Sequence, residues 1–236
     1  MIIIKPLSMC ILATVFSLFG LAVNADALHD DHGGALYHAL WLELQRGNDQ
    51  SHVEWQGWSG GDTHKLWLQG ETESHDGKLE SSEIWFMYSR HVAAFWDFQI
   101  GLRHDTQPTS TSYATLGFNG LAPYLFVTQS HVFVSEQGDV SARLEQKNHL
   151  LFTQRFGIEP YYQLDFSAQD VPENDLGSGL NQGELGIKLF YEIHRKLVPY
   201  LDLNYTRKFG QTADYAKQHD AETADWTVSL GISLLF

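Results

Sequence analysis

Cysteine is nearly missing from this chain of 236 residues: Cys10 is the only one, and it opens an apolar run reaching Val23. With Lys5 ahead of that run and small or aliphatic residues at Val23 and Ala25, residues 1–25 read as a secretory signal peptide cut after Ala25. Cleavage there removes the only thiol, which excludes disulfides and thiolate ligands from the exported chain. Methionine is scarce too, with Met87 the one that would remain. Basic residues are few: without Lys5, 14 face 29 acidic residues, a net charge of −15. That balance excludes a nucleic-acid partner, which needs a basic stripe. No apolar run approaches the ~20 residues of a convincing membrane helix. The mean hydropathy of −0.24 excludes only helical spans, because a β-barrel hides its apolar residues at every second position.

What is present is alternation. In Asp225–Phe236, Trp226, Val228, Leu230, Ile232, Leu234 and Phe236 point one way, and Asp225, Thr227, Ser229, Gly231 and Ser233 point the other. A period of two describes a strand with one apolar and one polar face. A closing aromatic residue after such a strand resembles the end of bacterial outer-membrane barrels. The same pattern recurs in 35–45, 50–59, 63–74, 79–90, 92–105, 139–151, 156–168, 181–193 and 197–209. It is blurred in 112–120 and 123–135 by Gly117, Gly120 and Pro123. These segments predict an all-β fold, an outer-membrane antiparallel β-barrel of about twelve strands over residues 35–236, preceded by a short His/Asp periplasmic tail at 26–34. Short turns are expected at Gly60-Gly61, Ser89 to His91, Gly120 to Pro123, Thr153 to Arg155 and His194 to Lys196, on the periplasmic side. Longer loops are expected outside, at 104–111, 168–180 and 210–223. Outer-membrane lipids would then be the constant partner of the apolar face.

Lys or Arg on the lipid face at mid-membrane costs about 2–4 kcal/mol, so the charged residues of these segments are expected to face inward. Glu43, Glu54, Glu71, Glu83, Asp97, Glu145, Glu159, Asp165, Glu184, Glu192 and Asp202 outnumber Lys65, Arg103, Arg143, Lys147, Lys188 and Lys208 there. They can simply pair across the lumen and fill it. The sharper reading takes Glu43, Glu71, Glu83, Asp97, Glu159, Glu184 and Asp202 as an acidic path, since carboxylate rings favour cations. All twelve histidines lie after residue 25. His29-Asp30-Asp31-His32 places two imidazoles around two carboxylates, and imidazole nitrogen suits Cu(II), Zn(II) and Ni(II). His52 and His149 fall on the inward face, as does Met87, for which packing against Trp85 is the ordinary role.

Several ordered motifs carry a resemblance. Phe152-Thr-Gln-Arg-Phe156, Ile158-Glu-Pro-Tyr161, Gly177-Ser-Gly-Leu180, Glu184–Glu192, Arg195–Pro199 and Lys208–Ala213 are similar to the copper resistance protein B family, and Tyr88-Ser-Arg90 and Phe95-Trp-Asp97 to its middle region. The resemblance covers about residues 35–236. It implies a non-enzymatic outer-membrane barrel of copper tolerance, working with a periplasmic multicopper oxidase and copper carriers, with copper as the ion handled. Many members carry a long Met- and His-rich extension before the barrel. Here only Asp26–Gly34 precedes it, so metal handling is expected to rest on His29, Asp30, His32, His52 and His149 with carboxylates, and on sulfur only at Met87, with Cu(II) as the ion. Phe236 is expected to serve assembly. Two rival functions remain: a general small-solute or structural barrel, and a protease using His104-Asp105 or His219-Asp220 at the outer rim.

Overall fold

The computed structural model describes residues 36–219 and 221–236. The expected signal peptide and the expected tail ligands His29, Asp30 and His32 lie outside the described residues. Strands β1 (Tyr37–Arg46), β2 (Gln50–Gly60), β3 (His64–His75), β4 (Lys78–Ala93), β5 (Trp96–Gln107), β6 (Thr111–Ala122) and β7 (Phe126–Ser135) form successive antiparallel hairpins. They continue into β8 (Val140–Lys147), β9 (Leu150–Leu151), β10 (Phe156–Ser167), β11 (Gly179–Tyr191), β12 (Leu197–Lys208) and β13 (Ala224–Leu235). The short β9 resumes β8 beyond Asn148-His149, and both pair with β10, so the barrel has twelve staves. β13 pairs with β1. The sheet is therefore closed and has no free edge, the condition for a strand structure to stand in lipid.

The alternation does what it predicts. Leu230 is 67% exposed and its neighbour Ser229 only 4%, because one faces outward and the other into the barrel. The outward row of β13 joins Phe86, Leu102, Leu116 and Leu185 in an exposed apolar belt matching a hydrocarbon layer. Phe236 completes the closure: its N–H donates to the Leu40 carbonyl at 2.9 Å.

Glycines let aromatic rings lie flush with the inner wall. A side chain at Gly186 would overlap the ring of Tyr161, and one at Gly231 the ring of Tyr200. Each pair is directly cross-strand.

Several expected boundaries move. Ser89 to His91 is strand, because Arg90 and His91 pair with Phe98 and Asp97, and the turn falls at Ala94-Phe95. The expected loop at 104–111 shortens to residues 108–110, since β5 stays paired with β4 as far as Gln107. Residues 139–151 break at Asn148-His149, where the Asn148 side chain donates to the Tyr124 carbonyl. The stretch expected as loop at 210–223 contains a helix, α1 (Gly210–Gln218). Its Thr212, Ala213 and Ala216 are buried, and the Thr212 hydroxyl accepts from the Gly177 N–H. No helix among the described residues is long and apolar enough to cross a membrane.

Candidate functional site

Strand pairing places Glu43 directly opposite Glu54, Glu54 opposite Glu71, Glu71 opposite Glu83, and Glu83 opposite Asp105. Five carboxylates thus run in one row around the inner wall of β1 to β5. Side chains so paired stand ~5 Å apart, and like charges there repel. Cations compensate the two ends of the row. Lys188 of β11 reaches Glu43 at 2.8 Å and lies over the rings of Tyr161 and Tyr200. Arg103 binds Glu83 and Asp105, both at 2.6 Å, and Arg143 spans Glu83 and Asp165, both at 2.9 Å. The Trp85 indole N–H also donates to Glu83. The middle has fewer close partners: Glu54 has no salt-bridge partner within 4.0 Å among the described residues, and Glu71 has only His52.

His52 stands directly opposite Glu73 and diagonal to Glu71. Its Nδ1 lies 3.3 Å from Glu73 and its Nε2 3.7 Å from Glu71. Candidate ligand atoms of His52, Glu71 and Glu73 all lie within 4.8 Å of one another, the one group of three such residues among those described. The group borders a lumenal cavity of about 1050 Å³ that also touches Glu54, Glu184 and Asp202.

The other expected site residues disperse along the lumen. Glu184 and Asp202 both meet the Tyr161 hydroxyl at 3.0 Å, and Gln45 donates to Asp202. Asp97 accepts from Lys65 at 2.8 Å and faces His91 at 2.9 Å. His149 sits on Glu159 at 2.5 Å near the turn at Thr153 to Arg155, and this hydrogen bond raises the His149 imidazole above its ordinary value. Met87 is fully buried against Trp85 and Phe133, apart from the imidazole–carboxylate group. His131 escaped the sequence reading: it is 2% exposed, faces inward and meets Gln99 at 2.9 Å. Its segment, 123–135, is one of the two in which alternation is blurred, and only the row Gln129, His131, Phe133 in the chain points to it. His104 and Asp105, adjacent on one strand, point to opposite faces. His104 meets Ser112 while Asp105 is bound by Arg103, which removes that pair as catalytic partners. Of the second rim pair, Asp220 lies outside the described residues.

A family model described as copper resistance protein B precursor (CopB) matches residues 36–236. The chain belongs to the copper resistance protein B family. Copper resistance protein B of Escherichia coli is 35% identical over 199 residues, covering 83% of this chain and 67% of that protein. A copper resistance protein B homolog of Pseudomonas syringae pv. tomato (strain ATCC BAA-871 / DC3000) is 34% identical over 212 residues, covering 89% and 72%. Among solved structures, the NanC porin superposes with a TM-score of 0.55 at 11% identity, covering 84% of this chain and 99% of that one. The KdgM porin gives 0.51 at 9% identity, covering 83% and 98%. These likenesses speak to the barrel fold. With the closed sheet and the apolar belt, they place this member of the family in the outer membrane of a Gram-negative bacterium.

Proposed function

We propose that the barrel takes copper ions into its lumen and conducts them across the outer membrane, as a non-enzymatic component of copper homeostasis. The observation that carries this reading is the row Glu43–Glu54–Glu71–Glu83–Asp105, whose middle has fewer cations than carboxylates. A low-dielectric wall focuses the field of such a row and raises the local concentration of cations. Conduction also needs sites weak enough to release, and single carboxylates from separate strands, those at the two ends of the row already held by cations, suit that need. In this reading residues 1–25 direct export, and His29, Asp30 and His32 form a periplasmic tail that exchanges copper with soluble carriers or a multicopper oxidase.

The test is electrical and chemical together. The purified barrel in a planar bilayer under a KCl gradient should show cation selectivity, and liposomes containing it should admit Cu(II). Changing Glu54 and Glu71 together to Gln should lower selectivity and copper flux several-fold. An anion-selective barrel, or unchanged flux in the double variant, would remove the reading. A general small-solute pore is told apart by deletion of the gene: sensitivity confined to copper favours the copper role, and broad nutrient defects favour the pore.

A further inference from the structure

We propose that His52, Glu71 and Glu73 form a discrete site for one divalent transition-metal ion of nitrogen and oxygen preference, with Cu(II) bound through His52 Nε2 and Glu71. The site deepens the copper-conduction reading by naming the oxidation state and the ligands of the ion, and it rests on that reading only for copper being the biological metal.

Register brings the group together. His52 lies near one end of β2, and Glu71 and Glu73 face it from the paired strand β3, all on the inner wall. The imidazole offers one nitrogen to each carboxylate. At 3.3 Å from the Glu73 oxygen, a neutral ring with its proton on Nδ1 donates there and is held in its plane. The Ser81 hydroxyl donates to the other Glu73 oxygen at 3.3 Å and holds that carboxylate in turn. This tautomer leaves the Nε2 lone pair facing the Glu71 oxygen at 3.7 Å, a separation too long for a hydrogen bond. Two lone-pair donors confronting each other across such a gap are an arrangement a cation completes. Metal–nitrogen and metal–oxygen bonds of about 2.0–2.2 Å put two ligands on one ion roughly 3–4 Å apart, so little movement is needed.

The chemistry selects the ion. One imidazole and one carboxylate, with a second carboxylate adding negative charge, favour Cu(II), then Ni(II) and Zn(II), in the order of intrinsic divalent affinities. No sulfur belongs to the group, so it lacks the soft ligands that select Cu(I). Glu54, directly opposite Glu71, adds a further carboxylate beside the ion. A two-ligand site completed by water holds an ion briefly, as a step in a path requires. The competing arrangement is a protonated imidazole that bridges Glu71 and Glu73 as an ordinary cation.

The experiment uses the full mature chain in detergent with His29 and His32 changed to Ala, so that the tail contributes no imidazole. Titration with CuCl2, followed by electron paramagnetic resonance, should show one Cu(II) with coupling to a single nitrogen. His52→Ala and Glu71→Gln should each weaken binding by at least tenfold, and His52→Ala should abolish the nitrogen coupling. Glu73→Gln, which only frees the ring, should weaken it by about tenfold with the coupling retained. Heat-modifiable gel mobility verifies that each barrel is folded. Unchanged affinity and nitrogen coupling in folded His52→Ala would overturn the site. Loss of copper flux with the His52-dependent signal intact would sink the conduction reading alone; intact flux without that signal would sink the site alone.

Discussion

Tyr161 lies across Gly186 of the neighbouring strand and sets its hydroxyl 3.0 Å from both Glu184 and Asp202. One phenol thereby ties three successive strands, β10, β11 and β12, through a glycine that leaves room for its ring. A phenol carries one proton, so it donates to one carboxylate at a time.

Gly186→Ala should push the Tyr161 ring off the wall and break these contacts. Overpacking of this kind costs about 1–3 kcal/mol, read as a lower urea midpoint for the reconstituted barrel. Tyr161→Phe on the Gly186→Ala background should then cost little more, since the hydroxyl contacts are already lost. A wild-type midpoint in the single variant would refute the packing argument.

Glu83 holds two guanidinium groups, Arg103 at 2.6 Å and Arg143 at 2.9 Å. Glu83→Gln leaves excess positive charge beside Trp85 and Phe133. Removing one partner of a buried pair costs about 3–5 kcal/mol, and the wetter lumen should reduce that to about 2 kcal/mol. Urea unfolding measures it, and adding Arg143→Met should recover part of the loss. If the double variant is less stable than the sum of the singles, the pairing is misassigned.

Phe236 ends the outward row of β13 and its backbone closes the barrel onto Leu40. Phe236→Ala keeps those backbone bonds but removes a half-exposed ring. Folded protein in the outer membrane should fall several-fold, as judged by heat-modifiable mobility, while barrel that does insert should bind Cu(II) normally. Normal insertion would show that the terminal ring is dispensable.

His149 should titrate above the ordinary imidazole value, because its hydrogen bond to Glu159 favours the protonated ring. The stabilisation from the pair is complete below about pH 6.5, the ordinary imidazole pKa. It is lost as pH rises through the raised folded value. NMR of labelled histidine should show one resonance titrating high, returning to the ordinary range in Glu159→Gln. If no resonance moves in that variant, the contact is absent in solution.

Much of the architecture was legible because an amphipathic strand in a membrane barrel has little freedom: every inward charge must alternate with an outward apolar residue. That is why alternation alone sets Trp85 and Met87 on one face of β4 and Phe86 and Tyr88 on the other. The misreadings have local causes. Between Gly117 and Pro123 the small and ring-closed residues carry no face preference, which hid His131. Asn148-His149 interrupts a stave without disturbing the alternation of β8. Helix α1 lies in a loop where Thr212, Ala213 and Ala216 are buried and Thr212 accepts from the Gly177 N–H, a contact distant in sequence.

By itself the sequence determined the strand class, the approximate number of staves, the two faces of most of them, and an acidic interior without thiols, since all these depend on periodicity and composition within single segments. Only the tertiary structure decided register. Which glutamate stands opposite which, and that His52 meets Glu73 and Glu71 rather than their neighbours, depends on how far each strand slides along the next. A slip of two residues keeps every side chain on its proper face, so alternation cannot choose between such registers. Hydrogen-bonded pairing around the closed barrel, with Tyr161 seated on Gly186 and Tyr200 on Gly231, makes that choice, and the carboxylate row and the imidazole beside it are its consequence.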